Sequence, residues 1–340
     1  MIDNKFNFNQ RFSKERLKEF SEVLQEISSR IGFKVSSRGW GYLLEQAGYI
    51  DKSQFDKVEK AVNDCRKQGF LPVDFVAEEA GRMFKNIIIP SGGTVKDTLR
   101  WMLNNVFDGQ MYYQPDWWED EEYYIQVVVE KVDLVTLFEN VCLEYKIPIA
   151  NAKGWQSISQ RAEYARRFKE AEQDGKTCVL LYCGDHDPDG IRIDQNIREN
   201  LKQIKDVYFE DGESGYDPEN LIIDRFGLNY DFIIQQGYIW IDNLITGSGS
   251  DLSSSNHRNH KLPYVQKYLK KYGVRKCESN AVVTTPDKAR DLIRKTIEDY
   301  LGEDCLTRFR EKREKIKNDY NEALEETGVK SAIEKALNEL

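Results

Sequence analysis

The sequence predicts an α/β protein in three parts: an N-terminal helical region, a parallel-sheet domain and a helical C-terminal extension. Three observations carry this reading. Between residues 123 and 210, β-branched runs alternate with amphipathic stretches in the order βαβαβα, the layout of a parallel sheet with helices on its faces. Residues 13–69 hold three apolar patterns of helical period, separated by short turns. From about residue 285 the chain is helical and charge-laced.

In the first part, "SKERLKEFSEVLQEISSRI" places Leu17, Phe20, Leu24 and Ile27 at helical spacing. "SSRGWGYLLEQAG" follows, with Ser36 or Ser37 as N-cap and Gly48 as the stop. "DKSQFDKVEKAVNDCRKQG" puts Phe55, Val58, Val62 and Cys65 on one face and ends at Gly69. With the extended "FLPVDFVA" behind them, the three helices fit a DNA-contacting helix-turn-helix with a wing as well as they fit a plain three-helix bundle.

A boundary is expected in residues 107–124, where Gly, Pro, an acidic run and several aromatics meet. The expected parts are therefore residues 1–110, 120–250 and 251–340. Tyr112, Tyr113, Trp117 and Trp118 could stack bases, although the interleaved acids suit a packed linker or dimer contact better.

In the second part, "YYIQVVVEK", "IPIANAKG" and "TCVLLYC" are the strands. Helices lie between them at "DLVTLFENVCLEYK" and "SISQRAEYARRFKEAEQDG", the latter capped by Ser157 or Ser159 and closed by Gly175. "GIRIDQNIRENLKQIKD" is the following helix, and "NLIIDRFGL" adds a strand. Residues 247–260 are expected as an exposed, mobile loop, whose "NHRNHK" is either a phosphate contact or simply solvated. "TTPDKARDLIRKTIEDYL" starts a helix with a Thr cap and Pro in its first turn.

Composition narrows the function classes. The 340 residues carry a net charge of −9, distributed as roughly +2 over 1–110, −15 over 111–256 and +4 over 257–340. An acidic centre with near-neutral or basic flanks fits a metal site served by separate DNA-contacting surfaces, and fits an ordinary acidic enzyme equally well. No apolar run approaches the ~20 residues of a membrane helix, so no membrane partner is expected. The start lacks a secretory layout, and six cysteines stand singly, which points to a reducing cytoplasm.

The chemistry concentrates in "CGDHDPDG". Asp185, Asp187 and Asp189 follow directly on a strand, and carboxylates this close raise one another's pKa unless a cation offsets them. Ligands of parallel sheets gather beyond the carboxyl ends of the strands, and Glu130 and Lys131 leave the first strand at such an end. Oxygen donors without His or Cys suit Mg²⁺ or Mn²⁺, which serve phosphoryl chemistry by neutralising charge. A calcium loop fits less well, because its twelfth position is Asn196 rather than Glu and a strand precedes it. A solvated turn remains a third reading. His186 is either a ligand or a structural histidine, and Arg225 either faces nucleic acid or makes a surface salt bridge.

These residues resemble the TOPRIM domain, in which a Glu follows the first strand and D-x-D the third. The "EK" and "D-x-D-P-x-G" forms are similar to the A subunit of topoisomerase VI and the related meiotic double-strand-break protein, over roughly residues 123–210. The resemblance implies Glu130 as general acid/base or metal ligand and Asp185 and Asp187 as Mg²⁺ ligands. Asp189 would lie in the outer shell, and Lys131 would either contact phosphate or pair with the acids. It also implies a preceding winged helix with a tyrosine nucleophile. "SSRGWGY" supplies Arg38 and Tyr42 at the matching spacing, with Gly41 where the family has an aromatic. A tyrosine ester conserves the phosphodiester's energy, and a nearby arginine stabilises the pentavalent phosphate. Packing as a core aromatic is the competing role for Tyr42. In that family the tyrosine of one protomer meets the metal of another, which implies a homodimer.

The expected function is thus Mg²⁺-dependent DNA cleavage through Tyr42. The alternatives are a TOPRIM nuclease with water as nucleophile and a non-catalytic DNA-binding or assembly subunit. No G-x-x-x-x-G-K-[ST] loop is present, so strand passage would need a separate ATPase partner, and "PSGG" at 90–93 is a turn. A primase reading lacks the zinc ligands often attached to primases.

Overall fold

The computed structural model describes residue 8, residues 12–77, residue 88 and residues 90–152, 158–207, 215–245 and 249–340. Contacts divide the chain into two compact units, one made of Met1–Glu78 and Glu122–Ile297, the other of Glu79–Glu121 and Glu298–Leu340.

The first unit is a mixed α/β body around a four-stranded parallel sheet. Its strands are β1 (Tyr123–Val129), β2 (Ile149–Asn151), β3 (Thr177–Cys183) and β4 (Ile222–Gly227), in the spatial order β2-β1-β3-β4. Beyond their first residues the central strands β1 and β3 are buried throughout, which is why they read as continuous apolar runs. Their register pairs Tyr123 with Thr177 and Val129 with Cys183, so the two strands end level. This alignment positions the site.

Three helices precede the sheet. α1 (Lys14–Ile31) starts where Ser13 accepts from the Arg16 N–H, and buries Leu17, Phe20 and Leu24. α2 (Ser37–Gln46) starts at Ser36, whose hydroxyl accepts from the Gly39 N–H at 3.0 Å. A 3₁₀ turn at Lys52–Gln54, closed by an Asp51–Gln54 capping box, leads into α3 (Phe55–Lys67). α3 stops at Gly69, whose φ of +73° a side-chain-bearing residue rarely adopts. The expected extended wing at 70–77 is a run of turns instead: Arg66 donates to the Val73 carbonyl, and Ala77 N–H bonds Val35 O.

α4 (Val95–Phe107) precedes β1 in the chain and belongs to the second unit; between and after the strands come α5 (Val132–Glu144), α6 (Ile158–Gln173), α7 (Ile193–Lys202), α8 (Tyr230–Gln236) and α9 (Pro263–Tyr272). α7 is shorter than expected, because Gly190–Arg192 form a 3₁₀ turn first. The Ser157 cap falls outside the described residues, and Ser159 lies inside α6 rather than before it. Residues 249–262 are not the open loop expected. They form successive turns in which Leu252 packs with Leu244, Val265 and Tyr268.

The second unit is helical. It contains α4, the end of α10 (Pro286–Leu301), α11 (Cys305–Glu326) and α12 (Val329–Glu339). Arg308 of α11 holds Glu121 through both carboxylate oxygens at 2.9 Å, and Tyr320 donates to Val106 O at 2.7 Å. Trp117 packs against Phe309 beneath Arg313, while Tyr112 and Tyr113 are exposed. No helix among the described residues is long and apolar enough to cross a membrane. All six cysteines are free and buried.

Candidate acidic site and its lysine cluster

Because β1 and β3 are neighbours and end together, the chain leaving each strand meets the other. Glu130 N–H donates to Cys183 O at 2.9 Å, and Asp185 N–H donates to Glu130 Oε2 at 2.7 Å. Asp187 sits two residues on and accepts from the Gly190 N–H at 2.6 Å. The turn at Gly190 is tight enough that an added Cβ would lie 2.0 Å from Asp185 O. Beneath this loop Arg225 of β4 donates to the carbonyls of Gly184, Asp185, Gly190 and Leu228. It acts as a cross-tie that satisfies the loop's backbone acceptors, not as a surface salt bridge.

Lys131 is the cation already present. Its ammonium lies 2.8 and 3.1 Å from the two Asp185 carboxylate oxygens and 2.6 Å from Glu278. Asp185 also accepts from the Ser279 N–H at 2.6 Å. Glu278 is 2 % exposed and gathers two further ammonium groups, Lys52 at 2.5 Å and Lys276 at 3.0 Å. An isolated antiparallel bridge between His186 and Cys277 brings this segment against the aspartate loop.

The charges are strongly coupled. Burial, then the neighbouring Asp185, pushes the Glu130 carboxyl up to about 8. The same two causes push Asp187 up to about 6. Burial opposes ionisation of Glu278, but Lys131, Lys276 and Lys52 hold its carboxyl well below the usual range. Burial would lower the Lys131 ammonium, and Asp185 and Glu278 overcome it, raising it well above its ordinary value. Glu45 nearby is pushed up to about 7 by burial and by Glu278.

Tyr42 belongs to this assembly. The Lys131 ammonium lies 4.4 Å from the centre of its ring, and Lys52 lies 5.7 Å away. The ring also meets Phe55 edge-on at 4.8 Å. An added Cβ at Gly41 would come within 2.9 Å of Phe55, which explains why an aromatic cannot stand there. The start of α2 is fixed by Asp133, which accepts from the Ser36 N–H at 2.8 Å and its hydroxyl at 3.3 Å.

Other expected residues lie elsewhere. Arg38 is exposed, pairs with Glu59 at 3.4 Å and lies over Phe55, away from the acids. Asp189 is exposed and accepts from Tyr264 at 2.8 Å. His186 is buried, with Nδ1 3.0 Å from Leu228 O, and burial brings its imidazole down to about 4. Glu278, Lys52, Lys276 and Asp133 were not assigned a role from sequence. Their contacts span up to 226 residues of chain, so no local spacing signals them.

Among the described residues no group of three or more His, Cys, Asp and Glu side chains is arranged to hold a metal ion. Lys131 and Ser279 take up the Asp185 carboxylate. The donor chemistry nonetheless fits a hard cation. It is all oxygen, and one oxygen each of Glu130 and Asp187 has no protein partner among the described residues. Comparison with known proteins returns no matching family model, curated protein or solved structure.

Proposed function

We propose that this chain is a TOPRIM-type, Mg²⁺- or Mn²⁺-dependent DNA-cleaving enzyme, resembling the topoisomerase VI A subunit, with the three helices α1–α3 as its DNA-contacting part. The observation that carries the reading is the convergence of Glu130 and Asp185 at the level ends of adjacent parallel strands, joined through Lys131 to Tyr42. A bound divalent ion would neutralise charge on the phosphate oxygens, with Asp185 and Asp187 as its holders and Asp189 further out.

The chain's own groups do the rest. The Tyr42 oxygen bonds to phosphorus as the bond to one sugar oxygen breaks, and the phenol proton passes to solvent. Glu130, pushed toward its neutral form by burial and Asp185, gives its proton to the departing sugar oxygen. Lys131 and Lys52 flank the tyrosine as positive charges for the phosphate. DNA is the partner, a homodimer would cut both strands, and strand passage would require a separate ATPase.

One observation favours a second reading, a hydrolytic nuclease in which water attacks. Arg38 pairs with Glu59, leaving Tyr42 without the arginine expected beside it. Supercoiled plasmid incubated with the protein in Mg²⁺, Mn²⁺ or EDTA separates the readings. Metal-dependent nicking with protein-linked ends, lost in Tyr42→Phe, supports the tyrosine mechanism. Nicking that survives Tyr42→Phe at the wild-type rate supports hydrolysis. Cleavage unaffected by Asp185→Ala with Asp187→Ala, or no cleavage under any condition, rejects the catalytic acid site and leaves a binding subunit.

A further inference from the structure

The geometry points to a cleavage site assembled in cis: Tyr42 and the acids of one and the same chain act together, so each copy cuts the strand it holds with its own tyrosine. This deepens the tyrosine reading above and rests on it. It is the opposite of the resemblance's implication, in which tyrosine and metal come from different protomers.

Two independent ties hold Tyr42 to its own sheet. The first is electrostatic. Lys131 touches the Tyr42 ring at 4.4 Å and the Asp185 carboxylate at 2.8 Å, so one ammonium joins nucleophile and acid. Lys52, which follows α2 closely in sequence, reaches the same Glu278 that Lys131 binds. Moving α2 and the turn behind it to a partner's sheet would strip Lys52, one of three ammonium groups, from a carboxylate that is 2 % exposed.

The second tie is steric and hydrogen-bonded. Asp133, in the first turn of α5 just beyond Lys131, accepts from the Ser36 N–H and hydroxyl and so anchors the start of α2. The approach is close: a Cβ on Gly39 would lie 2.3 Å from the Asp133 carboxylate. A helix seated this tightly carries Tyr42 at a fixed distance from the strand end.

Two measurements test this, the first without metal. In the full-length Tyr42→Cys, Lys131→Cys variant, isotopically heavy and light chains are co-refolded, treated with a short bis-maleimide in EDTA and digested. Linked peptides joining positions 42 and 131 with uniform isotope content are expected. Mixed-isotope linked peptides, or none joining these positions, overturn the proposal.

The second measurement co-expresses differently tagged Tyr42→Phe and Asp185→Ala chains and assays protein-linked DNA ends. No adduct is expected, because neither chain holds a complete site. An adduct on the Asp185→Ala chain above the level that the Asp185→Ala protein forms alone overturns cis assembly. If wild-type protein forms no adduct, the tyrosine mechanism fails and the proposed cis cleavage fails with it. The cross-linking result then still reports whether tyrosine and acids share a chain.

Discussion

The Lys131 ammonium spans both carboxylate oxygens of Asp185, at 2.8 and 3.1 Å, and so occupies the carboxylate that the proposed function assigns to a divalent cation. The competition has a direct consequence. Lys131→Met should tighten Mg²⁺ binding by on the order of fivefold, as expected when a competing ion pair worth about 1 kcal/mol is removed. Isothermal titration in the absence of DNA measures it. Weaker binding in the variant would show that Lys131 supports the ion instead of competing with it.

Glu278 is the counter-charge of three lysines. Glu278→Gln leaves Lys52, Lys131 and Lys276 without it, and breaking a buried pair from one side costs about 3–5 kcal/mol. Urea denaturation should show that loss. A loss below about 1 kcal/mol, the range of exposed pairs, would mean that water reaches the cluster freely.

Glu130 makes the fold sensitive to alkali in the absence of metal. Its carboxyl is raised from 4.5 to about 8, so the folded chain keeps a proton that the unfolded chain releases. Stability from this group is therefore fully present below about pH 4.5 and falls as pH rises toward 8. Glu130→Gln should abolish that fall. In EDTA its advantage over wild type should grow across this window to on the order of 2 kcal/mol, read as the thermal midpoint at each pH. An advantage that shrinks with rising pH contradicts the assignment.

Gly41 lies against the Phe55 ring, with room for no Cβ. Gly41→Ala should destabilise by about 1–3 kcal/mol through overpacking, and Phe55→Leu in the same chain should return part of it. Equilibrium unfolding of the four-member cycle checks this; an additive cycle would show that the two positions do not press on each other.

Much of this site was legible because it follows from backbone periodicity. "VVVEK" and "LLYCGDHD" read as strands with acids at their exits, and adjacent parallel strands bring such exits together. Arg225 was not legible, since its partners are carbonyls and carry no sequence signature. The wing failed for another reason. "FLPVDFVA" has strand-like composition, but Arg66 and Val35 occupy its backbone groups and hold it in turns. Pairing of Lys131 with the acids was one of its two readings, but Lys52, Lys276 and Glu278 were invisible because the cluster's members meet only in three dimensions.

That meeting sets an order of events during synthesis. Lys131 and Asp185 leave the ribosome long before residue 278 does, and until then the ammonium groups destined for Glu278 lack their anchor. A nascent chain of this protein therefore cannot complete the surroundings of Tyr42 until residue 278 has emerged. Under the proposed cleavage mechanism, a premature stop anywhere before residue 278 should release a product without activity.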